Sequence, residues 1–311
     1  MPLDPLVKAF LDQMAAVPGP KMYEISAPEA RATFDAMMDM VGPKNVPIGK
    51  VQDLKAKTAH GEVPIRLYTP VAAGSEPLPV LVYYHGGGWV IGSVASYDGI
   101  TRMLANEGGF CVVSVDYRLS PEAKFPTAVD EAFGALEWIE QHASELGVDP
   151  NRMAVGGDSA GGNLAAVMAQ MAKAKGIKLN FQMLLFPVTQ IGADTASLRD
   201  FDTGYFLERP TLDWFYANYL PVEGDENDVR CSPLLATDLS GLPPAYVMLA
   251  GFDPLHDEGM QYVEKLRAAG VKVDMKDYSD MVHDFIFLQA ILPQAHEAVA
   301  EAAKAVKAAL K

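Results

Sequence analysis

The sequence predicts an α/β protein, with a mostly parallel central sheet flanked by helices and a helical cap over one edge. Three observations carry this. Apolar, β-rich runs alternate along most of the chain with longer segments of helical period, the pattern of strand–helix–strand crossovers. Several of those runs, PVLVYY at 79–84, FCVVSVD at 110–116 and FQMLLF at 181–186, are almost continuously apolar, as parallel strands buried on both faces must be. No internal repeat or low-complexity linker divides the 311 residues, a length that α/β enzymes hold around one core.

Taken in order, Leu3, Val7, Phe10 and Met14 fall on one stripe and predict an N-terminal helix, and 27–40 predicts a second. Neither has a sheet unit of its own. Strands are expected at 63–69, 79–84, 110–116, 153–157, 181–186, 245–250 and 271–278, and helices at 126–146, 161–175, 256–269 and 294–310. The alternation breaks at about 188–235, an irregular stretch holding Phe201, Tyr205, Phe206, Leu207, Trp214, Phe215 and Tyr216. Residues 1–50 therefore read as an N-terminal helical cap segment, and 51–311 as the main α/β domain with a cap insertion at 188–235. Both cap pieces are expected to fold together over the strand ends. Any single aromatic of this kind is more often plain core, yet Tyr205, Phe206, Leu207 and Phe215 are candidates for lining a substrate pocket.

Half the residues are hydrophobic and about a fifth are charged, the composition of a soluble protein with a large core. A net charge of −15 repels phosphate backbones and anionic membrane surfaces, which argues against nucleic acid and stable membrane association. No run of 18 or more apolar residues could cross a bilayer, and the opening MPLDPLVKAFLDQM lacks the basic start and apolar core of a signal peptide. The two cysteines, Cys111 and Cys231, make no disulfide framework, and a reducing cytoplasm is expected.

Gly157-Asp158-Ser159-Ala160-Gly161 matches G-x-S-x-G, in which a sharp strand-to-helix turn presents a serine hydroxyl and glycines allow close backbone approach. A chain of this composition holds roughly 0.1 such matches by chance, so context decides. The apolar MAVGG before it and the helical AGGNLAAVMAQMAKAKG after it supply the strand and helix that the turn of an α/β-hydrolase requires. The rival, a phosphate-binding turn, lacks G-x-G-x-x-G order and any Gly-Lys-Ser/Thr run. The Gly-Asp-Ser-Gly-Gly of chymotrypsin-type proteases differs at Ala160 and belongs to an all-β fold.

His85-Gly86-Gly87-Gly88-Trp89 follows directly on the run PVLVYY, where this fold places its second oxyanion-binding segment. Bare glycine amides there would meet the charge developing on a carbonyl oxygen, and Gly87, Gly88 and Ala160 are the candidate donors. His85 reads as a fixed imidazole shaping the loop rather than as a base or metal ligand, since no histidine lies at i+4.

A serine hydroxyl needs a base to take its proton and an acid to orient that base, in the chain order Ser, Asp or Glu, His. His296 lies within the amphipathic C-terminal helix, and His256 is three residues from Asp253, too close for the two to come from separate loops. His283, just past the last strand, is the expected base. Asp253 follows AYVMLA and is the expected acid, although its place before Pro254 also suits a helix N-cap; Asp257 is the fallback.

With His-Gly-Gly-Gly-Trp at 85–89, Asp-Tyr-Arg-Leu-Ser-Pro-Glu at 116–122, Gly-Asp-Ser-Ala-Gly-Gly at 157–162 and Asp-Pro-Leu at 253–255, the chain resembles the bacterial branch of the hormone-sensitive lipase family of α/β-hydrolases. The likeness covers most residues from about 50 onward. It implies a serine carboxylesterase acting on short- to medium-chain small-molecule esters, with no cofactor or metal, and a cap built from the N-terminal region and the insertion after the sixth strand. It also implies that Glu122 and Asp158 support the site through structural hydrogen bonds. Where the family usually has His-Gly-Phe this chain has His283-Asp284-Phe285, and a carboxylate facing the imidazole would raise its pKa. A non-catalytic binding protein, such as the plant gibberellin receptor that resembles this family, lacks the catalytic histidine, whereas His283 is present here. An interfacial lipase would need a basic or strongly apolar anchoring face that the N-terminal helix does not offer. Amidase, lactonase or deacetylase activity and a homodimeric assembly stay open on sequence.

Overall fold

The computed structural model describes residues 2–222 and 225–311. One eight-stranded sheet runs through it in the order β1-β2-β4-β3-β5-β6-β7-β8. The strands are β1 (Lys50–Thr58), β2 (Gly61–Thr69), β3 (Leu78–Tyr84), β4 (Cys111–Val115), β5 (Val148–Asp158), β6 (Phe181–Leu185), β7 (Ala245–Phe252) and β8 (Val273–Val282). From β4 through β8 every neighbouring pair is parallel, whereas β1 and β2 form an antiparallel hairpin and β2 runs antiparallel to β4. Val82, Val113, Val155, Leu184 and Val247 in the middle strands are fully buried, because helices cover both sheet faces.

Strand β1 was not expected. Its sequence KVQDLKAKT is mostly polar and only Ala56 is fully buried, which is how an outermost strand discourages further pairing. The helix α3 (Asp98–Gly108) was also missed: Gly99 and Gly108 weaken its helical signal, and it stops at Gly109, whose φ of +68° suits glycine. The run expected at 126–146 is two helices, α4 (Thr127–Gln141) and the short α5 (Ala143–Leu146), broken at His142.

The N-terminal helices form for local reasons. In α1 (Pro5–Ala16) Asp4 caps the amides of Leu6 and Val7 and Pro5 occupies the first turn. In α2 (Ala27–Val41) Ser26 and Glu29 cap one another's backbone. Val7 and Phe10 of α1 are buried, but Met14 is 44 % exposed, so the expected apolar stripe ends one turn early. The amide of Asp4 donates to the carbonyl of Asp280 on β8, while Phe10 meets Phe206 at 6.0 Å between ring centroids. The first helix thus bridges the sheet edge and the stretch following β6. That stretch contains α7 (Ala196–Asp200) and α8 (Arg209–Tyr219). The helices α6 (Ser159–Lys175), α9 (His256–Ala268) and α10 (Pro293–Ala309) follow β5, β7 and β8.

Among the described residues no helix is long and apolar enough to cross a membrane, and Cys111 and Cys231 are free and buried.

Candidate active site

The site lies where β3, β5, β7 and β8 end, at the carboxyl edge of the parallel sheet, the edge at which such folds present their loops. At the end of β5 the chain passes from strand to helix with no residue between: Asp158 is the last of the strand and Ser159 the first of α6, at φ +52°. A non-glycine residue held at positive φ is strained, and the neighbouring glycines make the turn feasible. A Cβ on Gly157 would sit 2.3 Å from the carbonyl oxygen of Tyr84, and one on Gly161 only 1.9 Å from it.

His283 follows the last residue of β8. Its Nε2 lies 2.9 Å from Ser159 Oγ and its Nδ1 lies 2.7 Å from Asp253 Oδ2. All three side chains are buried. The other oxygen of Asp253 accepts the amide of Leu255 at 2.8 Å, a local turn that fixes the carboxylate. The helix begins at His256, so Asp253 lies ahead of its cap position. Asp257 turns away from His283, to the amide of Ser197 and to His256. His256 sits between Asp257 and Asp277, and His296 lies on the surface of α10, 60 % exposed.

Burial opposes charge on His283, but Asp253, Asp284 and Asp158 outweigh it and hold its pKa up at about 9. Nε2 also faces Asp284 Oδ2 at 3.4 Å.

Gly87 and Gly88 have φ of +95° and +58°, and the Gly87 carbonyl accepts the amides of Val90 and Ile91, which curls the loop back on itself. Among the described residues the amides of Gly87 and Gly88 find no protein acceptor. Ala160, fully buried, is the second residue of α6, where an amide has no partner within the helix. His85 is buried beside this loop, its Nδ1 2.8 Å from the Gly86 carbonyl and its ring stacked on Tyr117 at 4.4 Å. Among the described residues its hydrogen-bond partners include neither Ser159 nor His283.

Asp158 is fully buried and accepts hydrogen bonds from the hydroxyls of Tyr83 and Tyr97 and from the amide of Gly86. It therefore ties the serine turn to the glycine loop. Burial and the nearby Asp284 push its pKa up to about 8 against those donors. Glu122 is elsewhere: its side chain is 58 % exposed and pairs with Arg31 of α2 at 2.6 Å. Arg31 also donates to the carbonyls of Val90 and Ser120, so Glu122 reaches the glycine loop only through that guanidinium.

The four pocket candidates separate. Phe215 lies on the glycine loop, where a Cβ at Gly88 would fall 2.2 Å from its ring, and one turn on Tyr219 stacks on Trp89 at 4.1 Å. Tyr205 stacks on Phe252, the residue before Asp253. Phe206 packs on α1, and Leu207 is buried in the core.

Sequence reasoning passed over several residues of this neighbourhood. Tyr83, Tyr97 and Tyr117 carry the buried hydrogen bonds around Asp158 and His85, and nothing in their spacing singles them out. Phe186, at φ +45°, sets its ring edge-to-face on His283 at 5.7 Å. Asn163 is the one with a readable signal. Four residues after Ser159, it is polar in the small and apolar first turns of α6, and it donates to the carbonyls of Val188 and Cys231.

A sheet of this order with a Ser–His–Asp chain of hydrogen bonds at its carboxyl edge defines an α/β-hydrolase. A family model of the alpha/beta hydrolase fold matches residues 81–287, and the chain belongs to this family, in its hormone-sensitive-lipase-like branch. It is 45 % identical over 245 residues to the carboxylic ester hydrolase LipN of Mycobacterium tuberculosis, covering 76 % of this chain and 65 % of that one, just under two thirds of the relative's length. It is 37 % identical to the ethyl acetate hydrolase of Pseudomonas putida, covering 92 % of this chain and 91 % of that protein. A thermostable esterase from Pseudomonas putida has a similar crystal structure, with a TM-score of 0.96 at 36 % identity, covering 100 % of this chain and 98 % of that one.

Proposed function

We propose that this carboxylic ester hydrolase cleaves short- to medium-chain esters through an acyl-enzyme on Ser159. The observation that carries the reading is the continuous hydrogen-bonded chain Ser159 Oγ, His283, Asp253, at 2.9 and 2.7 Å, beside a glycine loop with free amides.

In the first half-reaction the neutral ring of His283 takes the Ser159 proton at Nε2 as Oγ bonds to the ester carbonyl carbon. Negative charge moves to the carbonyl oxygen and is met by the amides of Gly87, Gly88 and Ala160, donors worth about 10²–10³ each in rate in comparable sites. The intermediate collapses with cleavage of the carbon–oxygen bond to the alcohol, which takes the Nε2 proton as it leaves. Water then repeats the sequence and releases the acid. Asp253 holds the proton on Nδ1 and offsets the imidazolium charge. Asp158 and His85 shape the serine turn and the glycine loop, and Glu122 supports them through Arg31.

Residues 1–50 and 188–235 serve as the cap. Phe215 on Gly88 and Tyr205 on Phe252 support this assignment for the insertion, which they set against the strand ends, and the Phe10–Phe206 contact joins the N-terminal segment to it. The aromatic cover close over the glycine loop favours small acyl groups, and the two free cysteines suit a reducing cytoplasm.

A panel of p-nitrophenyl esters from acetate to palmitate tests the substrate class. The reading requires an optimum among the short chains with no rate jump when a substrate passes its solubility limit. Preference for long chains with such a jump would make the protein an interfacial lipase instead.

A further inference from the structure

Asp284 occupies a costly place for a carboxylate. Its backbone is held at φ +52°, its side chain is only 12 % exposed, and its Oδ1 is buried with no hydrogen-bond partner among the described residues. Aspartate tolerates the left-handed region, so conformation alone would not exclude it, but burying an unpartnered oxygen is unfavourable. Asparagine or glycine would make the same turn without charge. Among the described residues the carboxylate has one polar partner, Nε2 of His283, the nitrogen that also faces Ser159 Oγ.

We propose that Asp284 is a charge-setting residue for His283: a second carboxylate on the nucleophile-facing side of the ring that stabilises the imidazolium and places the onset of ester hydrolysis at alkaline pH. The inference rests on the proposed reading of His283 as the base. At 3.4 Å the contact is an ion pair rather than a short hydrogen bond, so it acts through its field and leaves Nε2 free to turn between Ser159 and the leaving alcohol.

Among the described residues few titratable groups surround this pair. His283 faces Asp253 from the loop after β7, Asp284 on its own turn, Asp158 at the end of β5 and, further off, Glu258 from α9. Asp284 faces His283 and Asp253, with Asp158, Tyr83 and Tyr97 behind it. Asp253 is present in any working form of the site, and Asp158 is occupied by three donors. Asp284 is therefore the carboxylate whose removal changes the charge at Nε2 while leaving the Ser159–His283–Asp253 chain intact. The imidazolium is favoured both at rest and in the transition state. The resting effect lowers activity near neutrality by keeping the base protonated, and the transition-state effect raises the alkaline plateau.

The test is Asp284→Asn in the full chain, with kcat/KM for p-nitrophenyl acetate followed from pH 5 to 10. The apparent pKa of onset should fall by about one pH unit, which gives about tenfold more neutral base at pH 7, and the alkaline plateau should be severalfold lower, so that the variant is about two- to threefold faster than the parent at pH 7. An onset unmoved from the parent's, with or without a lower plateau, would overturn the proposal. Asp284→Gly, which relieves the positive φ, serves if the asparagine variant does not fold. Titration of the His283 ring by NMR in the parent and the variant gives a readout independent of turnover. A ring pKa equal in both refutes the coupling. A lower one in the variant supports it even if Ser159→Ala were to keep its activity and the nucleophile reading were lost.

Discussion

Phe215 and Gly88 are in such close contact that a single methyl group on the glycine would fall 2.2 Å from the aromatic ring. One belongs to α8, in the stretch that interrupts the alternation of strands and helices, and the other to the loop after β3. The contact makes the proposed cap part of the wall of the proposed oxyanion site.

Gly88→Ala should therefore lose activity for two reasons, the clash with Phe215 and a φ of +58° that costs an L-residue about 1–2 kcal/mol. A fall in kcat/KM of about 10² or more is expected from a displaced oxyanion donor. Combining it with Phe215→Ala should recover part of that loss, because the steric term is removed and the backbone term is not. A double-mutant cycle measures the coupling, and strict additivity would show that the two residues do not communicate.

Stability and activity should run in opposite directions with pH. Burial raises Asp158 and Glu258 to about 8 and Asp284 to about 6, and the surrounding carboxylates raise His283 to about 9 despite its burial. Each group binds its proton more tightly folded than unfolded. Its stabilising contribution is complete below the unfolded pKa and is lost as pH rises through the folded one. The thermal midpoint should thus decline between about pH 5 and pH 9, while kcat/KM climbs as His283 becomes neutral. Differential scanning calorimetry beside a pH–rate profile checks both slopes, and a midpoint that rises across that range would contradict the buried-acid account.

Asn163 closes the neck of the 188–235 stretch, its side-chain amide donating to Val188 at 2.9 Å and to Cys231 at 2.8 Å. Asn163→Ala leaves both buried carbonyls without that donor, at about 1–3 kcal/mol each. The expected outcome is a lower denaturation midpoint and weaker discrimination against longer acyl chains, as the neck loosens. Chemical denaturation and the ester panel read these two effects separately.

Much of this arrangement was legible in the sequence because it depends on local rules. The continuous apolar runs gave the middle strands, and the tight glycine spacing at 157–161 gave a strand-to-helix turn, both of which need only the residues concerned. His283 and Asp253 could be named because each directly follows a strand of the parallel sheet, and the structure brings both to Ser159. What escaped was set by partners far along the chain. Strand β1 is polar because it lies at the sheet edge, and only its pairing with β2 makes it a strand. Tyr83 and Tyr97 gain meaning from Asp158, and Arg31 from Glu122 and Val90, contacts between residues 59 to 91 positions apart. The pocket candidates scattered for the same reason. Aromatic content told that 188–235 packs on something, but not that Phe206 would meet α1 while Phe215 met Gly88.

Every step of the proposed reaction depends on Ser159 as the nucleophile. Purified Ser159→Ala should keep its fold and its thermal midpoint within a few degrees, yet lose on the order of 10⁶ in kcat for p-nitrophenyl acetate, the scale seen when such a nucleophile is removed. A variant that is folded and still hydrolyses the ester at a large fraction of the parent's rate would contradict it.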